Sequence, residues 1–231
     1  MTEAIVEETV EAPRQEKTDG HEKESWFKPS MTPESLAAFV DGVFAIALTL
    51  MVLEIRFPDL PVGGEAALLQ GYIQAFQGLN IYASSFFLAA CFWGVYHRTI
   101  TYLRKVDFLT TWLVLPFLLL VALIPFHVAV MVRYYDSFLP VLALALNCWL
   151  MCLFWYMLWR HATSGHRLVH PAMPDRLIRM HYTWIVSFAG INLVMVLACL
   201  FSPPLARLSA LVLGMATIVT IYIFREKLMV V

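Results

Sequence analysis

Runs of about 20 apolar residues, the length needed to cross a bilayer, recur along most of this chain, and no other feature constrains its fold as strongly. They fall at 34–55, 72–98, 108–132, 137–160, 180–201 and 205–225. The runs are continuous rather than alternating, which selects helices over a β-barrel. Only 14% of residues are charged and the mean hydropathy is +0.71, whereas a soluble domain carries roughly 25% charged residues. The expected fold is therefore an all-α integral membrane protein with six transmembrane helices per chain, one domain spanning 31–231. The stretch "MTEAIVEETVEAPRQEKTDGHEKES" within residues 1–30 is polar and acidic, without the basic start and short apolar core of a cleavable signal. It reads as a disordered tail.

Orientation follows from Lys and Arg, which concentrate on cytoplasmic loops. Six spans place both termini on one side. Of the 16 Lys and Arg, all but Arg56, Arg133 and Arg207 fall on the side of the termini. That asymmetry puts both termini in the cytoplasm. It also supports the span count, because removing one span would scramble the segregation.

Several function classes find no residues here. A net charge of −1 and the lack of a basic face argue against a nucleic-acid partner. Cys91, Cys148, Cys152 and Cys199 lie in apolar stretches without zinc-site spacing. His161, His166 and His170 cluster in one loop but lack a cysteine or paired carboxylates, so neither metal nor cofactor is expected. No phosphate-binding loop, serine nucleophile motif or HExxH occurs, and no catalytic set is visible for an intramembrane enzyme. No span carries Arg at every third position, as a voltage sensor would. His127 and His181 read as hydrogen-bonded packing groups, Asn147 and Asn192 as bonds between helices, and Gly190 and Gly214 as points of close helix contact.

The first span, "FVDGVFAIALTLMVLEI" (39–55), is unusual in holding a carboxylate. With Ile46 at zero on a helical wheel, Leu50, Leu53, Gly42 and Phe39 all lie within about 40° and Thr49 at about −60°, whereas Asp41 sits at about −140°. One face is thus an apolar stripe and another carries a charge. A charge deep in a membrane helix costs about 2.5–3.5 kcal/mol unless it is paired. The second span offers donors at Trp93 and His97, one helical turn apart. Asp41, Trp93 and His97 are therefore read as a structural polar network pinning the first helix to the second. Periodicity alone leaves the apolar stripe open between packing, lipid contact and pore lining.

This first block, with Phe39, Asp41, Gly42, Ala45, Ile46, Thr49, Leu50 and Leu53, resembles the signature of the endosomal/lysosomal potassium channel family, the transmembrane protein 175 family, in its bacterial branch. "YASSFFLAACFWGVYHR" (82–98) is similar to the family's second helix, and "LVLPFLLLVALIPF" (113–126) to its third. The resemblance implies a homotetramer around a central pore lined by the first helix. Such a pore conducts monovalent cations and favours potassium, the permeant ion, through an apolar constriction. Carried over, Ile46 forms the narrowest ring, Leu50 and Leu53 line the pore beyond it, and Thr49 modulates selectivity. Glu54 and Asp59 would raise cation concentration at the mouth. The expected location is the bacterial cytoplasmic membrane, with lipid and other copies of the chain as partners. The chain departs from the family pattern at Ser35, Val40 and Tyr96, where the family has Arg, Ser and His. An alternative reading is a proton-coupled secondary transporter, or a proton leak, using Asp41 and His97 as a relay; transporters tend to show broken spans and internal repeats, and neither is evident.

Overall fold

The computed structural model describes residues 31–55, 57–58 and 63–201. The tail at 1–30, the acidic residue Asp59, the glycine Gly214 and the predicted span at 205–225 lie outside the described residues. Within them the chain is helical throughout: α1 (Pro33–Leu50), α2 (Glu65–Thr101), α3 (Phe108–Ala122), α4 (Ile124–Arg133), α5 (Leu139–Thr163) and α6 (Asp175–Phe201), with short 3₁₀ turns at Met51–Glu54 and Ser164–His166. Taking α3 with α4, and each 3₁₀ turn with the helix before it, five helical segments are long and apolar enough to cross a membrane.

Local sequence explains where α1 starts. The Thr32 hydroxyl accepts the Ser35 amide at 3.2 Å. Pro33 occupies the first turn, where a missing N–H costs nothing, and Glu34 faces the positive end of the helix dipole. The other boundaries differ from the sequence expectation. The second span, expected over 72–98, is a 37-residue helix from Glu65 to Thr101. At 1.5 Å per residue it is about 55 Å long, well beyond a hydrocarbon core of about 30 Å. The third span, expected as one helix over 108–132, breaks at Leu123. Pro125 supplies no amide for the helix ladder and disfavours helical backbone before it. The fifth, expected from 180, begins at Asp175.

Helix α5 is the centre of the packing, with α3 on one side and α6 on another, while α1 lies against α2 and α3. Trp155 and Trp159 are fully buried. Their indole N–H groups donate to the Thr99 hydroxyl at 2.9 Å and the Ile178 carbonyl at 3.2 Å, which ties α5 to α2 and to α6. Asn147 donates across to the Leu120 carbonyl at 3.0 Å, a bond between α5 and α3. The Asn192 amide donates to the Phe188 carbonyl of its own helix at 2.8 Å, and among the described residues it bonds to no other helix. At Gly190 a Cβ would meet nothing within 4 Å among the described residues. His127 bonds within its helix, to the Leu123 carbonyl at 2.8 Å. His181 is not hydrogen-bonded as expected. It is fully buried with neither ring nitrogen partnered, stacked between Trp159 and Trp184 at 4.4 and 5.4 Å with Tyr102 edge-on.

At one end of the molecule the linkers are fastened together. The Arg104 amide donates to the Leu168 carbonyl at 2.7 Å, and Leu103 pairs with Val169. Asp107 caps α3 by accepting the Thr110 amide and hydroxyl at 2.9 and 2.7 Å. Its second oxygen accepts from His161 at 2.8 Å, with Arg167 at 3.7 Å. Partial burial pushes the Asp107 carboxyl up, but the Thr110 bonds and the His161 bond and charge outweigh it and hold the pKa down at about 2. Sequence reasoning passed over Asp107. The available signal was "DFLT", an acidic cap three residues before a threonine at a helix start.

Candidate functional site

Helix α1 has two faces of similar composition and opposite environment. Leu36, Val40, Phe44, Ala47 and Met51 are buried inside the protomer. Phe44 lies 6.1 Å from Phe117, which in turn stacks on Tyr96 at 3.7 Å and 7°. The other face is bare. Phe39 is 46% exposed, Ile46 60%, Leu50 44% and Leu53 67%. Gly42, Ala45 and Thr49 are exposed along the same stripe. Among the described residues a Cβ at Gly42 would meet nothing within 4 Å, so none of the described helices approaches there. The Thr49 hydroxyl is turned back onto its own helix, within 2.9 Å of both the Ala45 and Ile46 carbonyls. Its hydrogen is committed to the backbone, leaving oxygen lone pairs to face outward.

Between the two faces sits Asp41. One of its oxygens accepts the Trp93 indole N–H at 2.7 Å and lies 2.9 Å from His97 Nδ1. The side chains of Asp41 and His97 remain 36% and 37% exposed. The two α2 donors fix α1 in rotation as well as in position, because they hold one flank of the helix at the level where the exposed stripe begins. Tyr96, where the family pattern has His, takes no part. It is buried against Phe117 with its hydroxyl unpartnered. Ser35 is exposed and its amide serves only the helix cap, while Val40 is fully buried.

Glu54 leaves the stripe. The 3₁₀ turn at Met51–Glu54 rotates it toward α4, where it lines a cavity of about 450 Å³ with Phe126, Ala129, Val130, Val132 and Arg133. The three histidines of the α5–α6 linker do not converge either. His161 reaches Asp107, His166 lies 3.4 Å from the Met173 carbonyl, and His170 accepts the Ala172 amide at 3.1 Å. Among the described residues no group of His, Cys, Asp and Glu is arranged to hold a metal ion.

These features define a polytopic helical membrane protein whose first helix leaves a long apolar face without a partner among the described residues. Residues 35–125 match the model of the endosomal/lysosomal potassium channel TMEM175 family. A potassium channel of Streptomyces collinus is 30% identical over 138 residues, covering 58% of this chain and 66% of the relative. One from Chamaesiphon minutus is 27% identical over 146 residues, covering 58% and 68%. One from a Chryseobacterium species is 35% identical over 95 residues, covering 41% and 46%. The chain thus spans about two thirds of the first two relatives and less than half of the third. In fold it is similar to the crystal structure of a lysosomal potassium-selective channel TMEM175 homolog from Chamaesiphon minutus. That match has a TM-score of 0.68 and 23% identity, and covers 81% of this chain and 97% of the other.

Proposed function

We propose that four copies of this chain assemble in the bacterial cytoplasmic membrane around a central pore, with α1 from each copy lining it. The pore conducts monovalent cations and favours potassium. Ile46 forms the narrowest ring, with Leu50 and Leu53 continuing the constriction beyond it. The observation that carries this reading is the bare face of α1, where Ile46 and Leu53 are 60% and 67% exposed while Val40, Phe44 and Met51 on the other side are at 0%. A half-exposed Asp41 adds support. Trp93 and His97 satisfy one of its oxygens, and the 36% of the side chain left uncovered is open to neighbouring copies or to a water-filled axis. The positive-inside bias survives in the described residues. Arg98, Arg104, Lys105, Arg160, Arg167, Arg176 and Arg179 lie toward the end where α1 begins, and Arg133 toward the other.

A narrow apolar ring gates by dewetting. When it is wet, an ion passing through it sheds part of its hydration, and potassium holds water less tightly than sodium. Selectivity of this kind is moderate because no cage of oxygens rewards one ion. The Thr49 oxygens, one layer beyond Ile46, offer acceptors to an ion that has just lost water. No cofactor takes part; the permeant cation is the only small partner. The test is Ile46→Asn in proteoliposomes, with potassium and sodium flux measured by ion-sensitive dyes and reversal potentials taken in planar bilayers. Selectivity for potassium is expected to collapse toward unity while flux rises. Reversal potentials identical to wild type would remove Ile46 from the constriction.

A further inference from the structure

The exposed stripe of α1 does not stop at Ile46. Phe39 and Gly42 continue it toward the start of the helix, both bare in the protomer. They sit about 10.5 and 6 Å below Ile46 along the axis at 1.5 Å per residue. Their chemistry is opposite. Phe39 is the bulkiest side chain on the stripe, and Gly42 has no side chain at all. Because a Cβ at Gly42 would meet nothing within 4 Å among the described residues, the absence of a side chain serves no packing against the described helices. Pairing with them does not account for it.

We infer that the pore has a second apolar collar at Phe39, separated from the Ile46 constriction by a widened chamber at Gly42. This rests on the proposed placement of α1 around the axis. Phe39 narrows the path at the cytoplasmic end. Its ring faces also attract a cation, which an aliphatic collar does not do. Gly42 leaves space between the two collars for an ion to keep its water before it meets Ile46. Asp41, on the flank at the same height and more than a third exposed, makes the chamber attractive to cations. The bonds from Trp93 and His97 hold α1 at the rotation that points Phe39 and Gly42 the same way as Ile46.

Cysteine accessibility tests this. Gly42→Cys fits the protomer without a clash, and the described native cysteines are buried. A cationic methanethiosulfonate reagent applied from the cytoplasmic side of a planar bilayer is expected to cut potassium current through the Gly42→Cys channel at least tenfold. Wild-type channels, which also carry Cys199, should be unaffected. Adding Phe39→Ala is expected to speed that modification at least fivefold, and adding Phe39→Trp to slow it. Modification detected by mass with current unchanged would place residue 42 against lipid and overturn the chamber. A modification rate indifferent to residue 39 would overturn the collar. Failure of the pore reading itself would show differently, as unchanged selectivity in Ile46→Asn.

Discussion

The two faces of α1 are made of the same kinds of residue and meet different fates. Val40, Phe44 and Met51 are at 0% exposure, while Ile46 and Leu53, no less apolar, are at 60% and 67%. Hydrophobicity therefore does not decide which face is used for what. In a bilayer a bare apolar face carries no cost of its own, since lipid is as apolar as leucine. What separates the faces is fixation: Phe44 wedges against Phe117 on one side, and Asp41 is held by α2 at the border. One face holds the protomer together; the other is the face that the proposed pore would use.

This difference can be broken by substitution. Phe44→Ala has the largest expected effect on stability, about 3–5 kcal/mol for truncating a buried aromatic. Thermal melting in detergent should fall steeply, while any tetramer that forms keeps wild-type ion selectivity. A selectivity change would mean that the buried face also shapes the pore. Asp41→Ala comes next. It strands two donors that now share a charged acceptor, worth about 1.5–3 kcal/mol. It should also free α1 to rotate, so selectivity is expected to degrade together with stability. Retention of both would show that the Trp93 and His97 bonds do not set the helix azimuth.

The smallest expected effect sharpens the comparison from outside α1. Asp107 also pairs with a histidine, yet it joins linkers at the end of the bundle rather than a helix flank. Asp107→Ala is expected to cost about 0.5–2 kcal/mol, the range for a lost cap, with reversal potentials unchanged. Its pKa, lowered from 3.8 to about 2, fixes the sign of the pH dependence. The stabilisation is fully present above about pH 4. It is lost as the pH falls through about 2, where the folded carboxyl protonates. Acid titration of melting temperature should show this loss in wild type and not in Asp107→Ala. Equal acid sensitivity in the two proteins would place the titrating group elsewhere.

Much of this architecture was legible from residues alone, because membrane spans announce themselves by length and hydropathy. Where the reading slipped, it did so at ends and partners. Pro125 breaks the helix within one expected span, and α2 extends back to Glu65, before the expected start. Among the described residues Asn192 bonds its own Phe188 carbonyl rather than another helix. Donors of this kind have a local acceptor and a distant one, and only packing chooses between them. The resemblance to the channel signature rested on residues 39–55, 82–98 and 113–126, and the family match at 35–125 covers the same region.

By itself the sequence determined that this chain lives in lipid, that its described spans are helical, and that α1 carries an apolar stripe with a carboxylate off to one side. Length, continuity and a period of 3.6 residues suffice for those. Only the tertiary structure decided which of α1's apolar faces is covered, because burial depends on which helices come alongside. It also decided that one Asp41 oxygen meets both Trp93 and His97, that Glu54 lines a cavity shared with Arg133, and that Asp107 gathers Thr110, His161 and Arg167. Each of these joins residues far apart in the chain or turns on a local bend of the backbone, and neither is written in a hydropathy pattern.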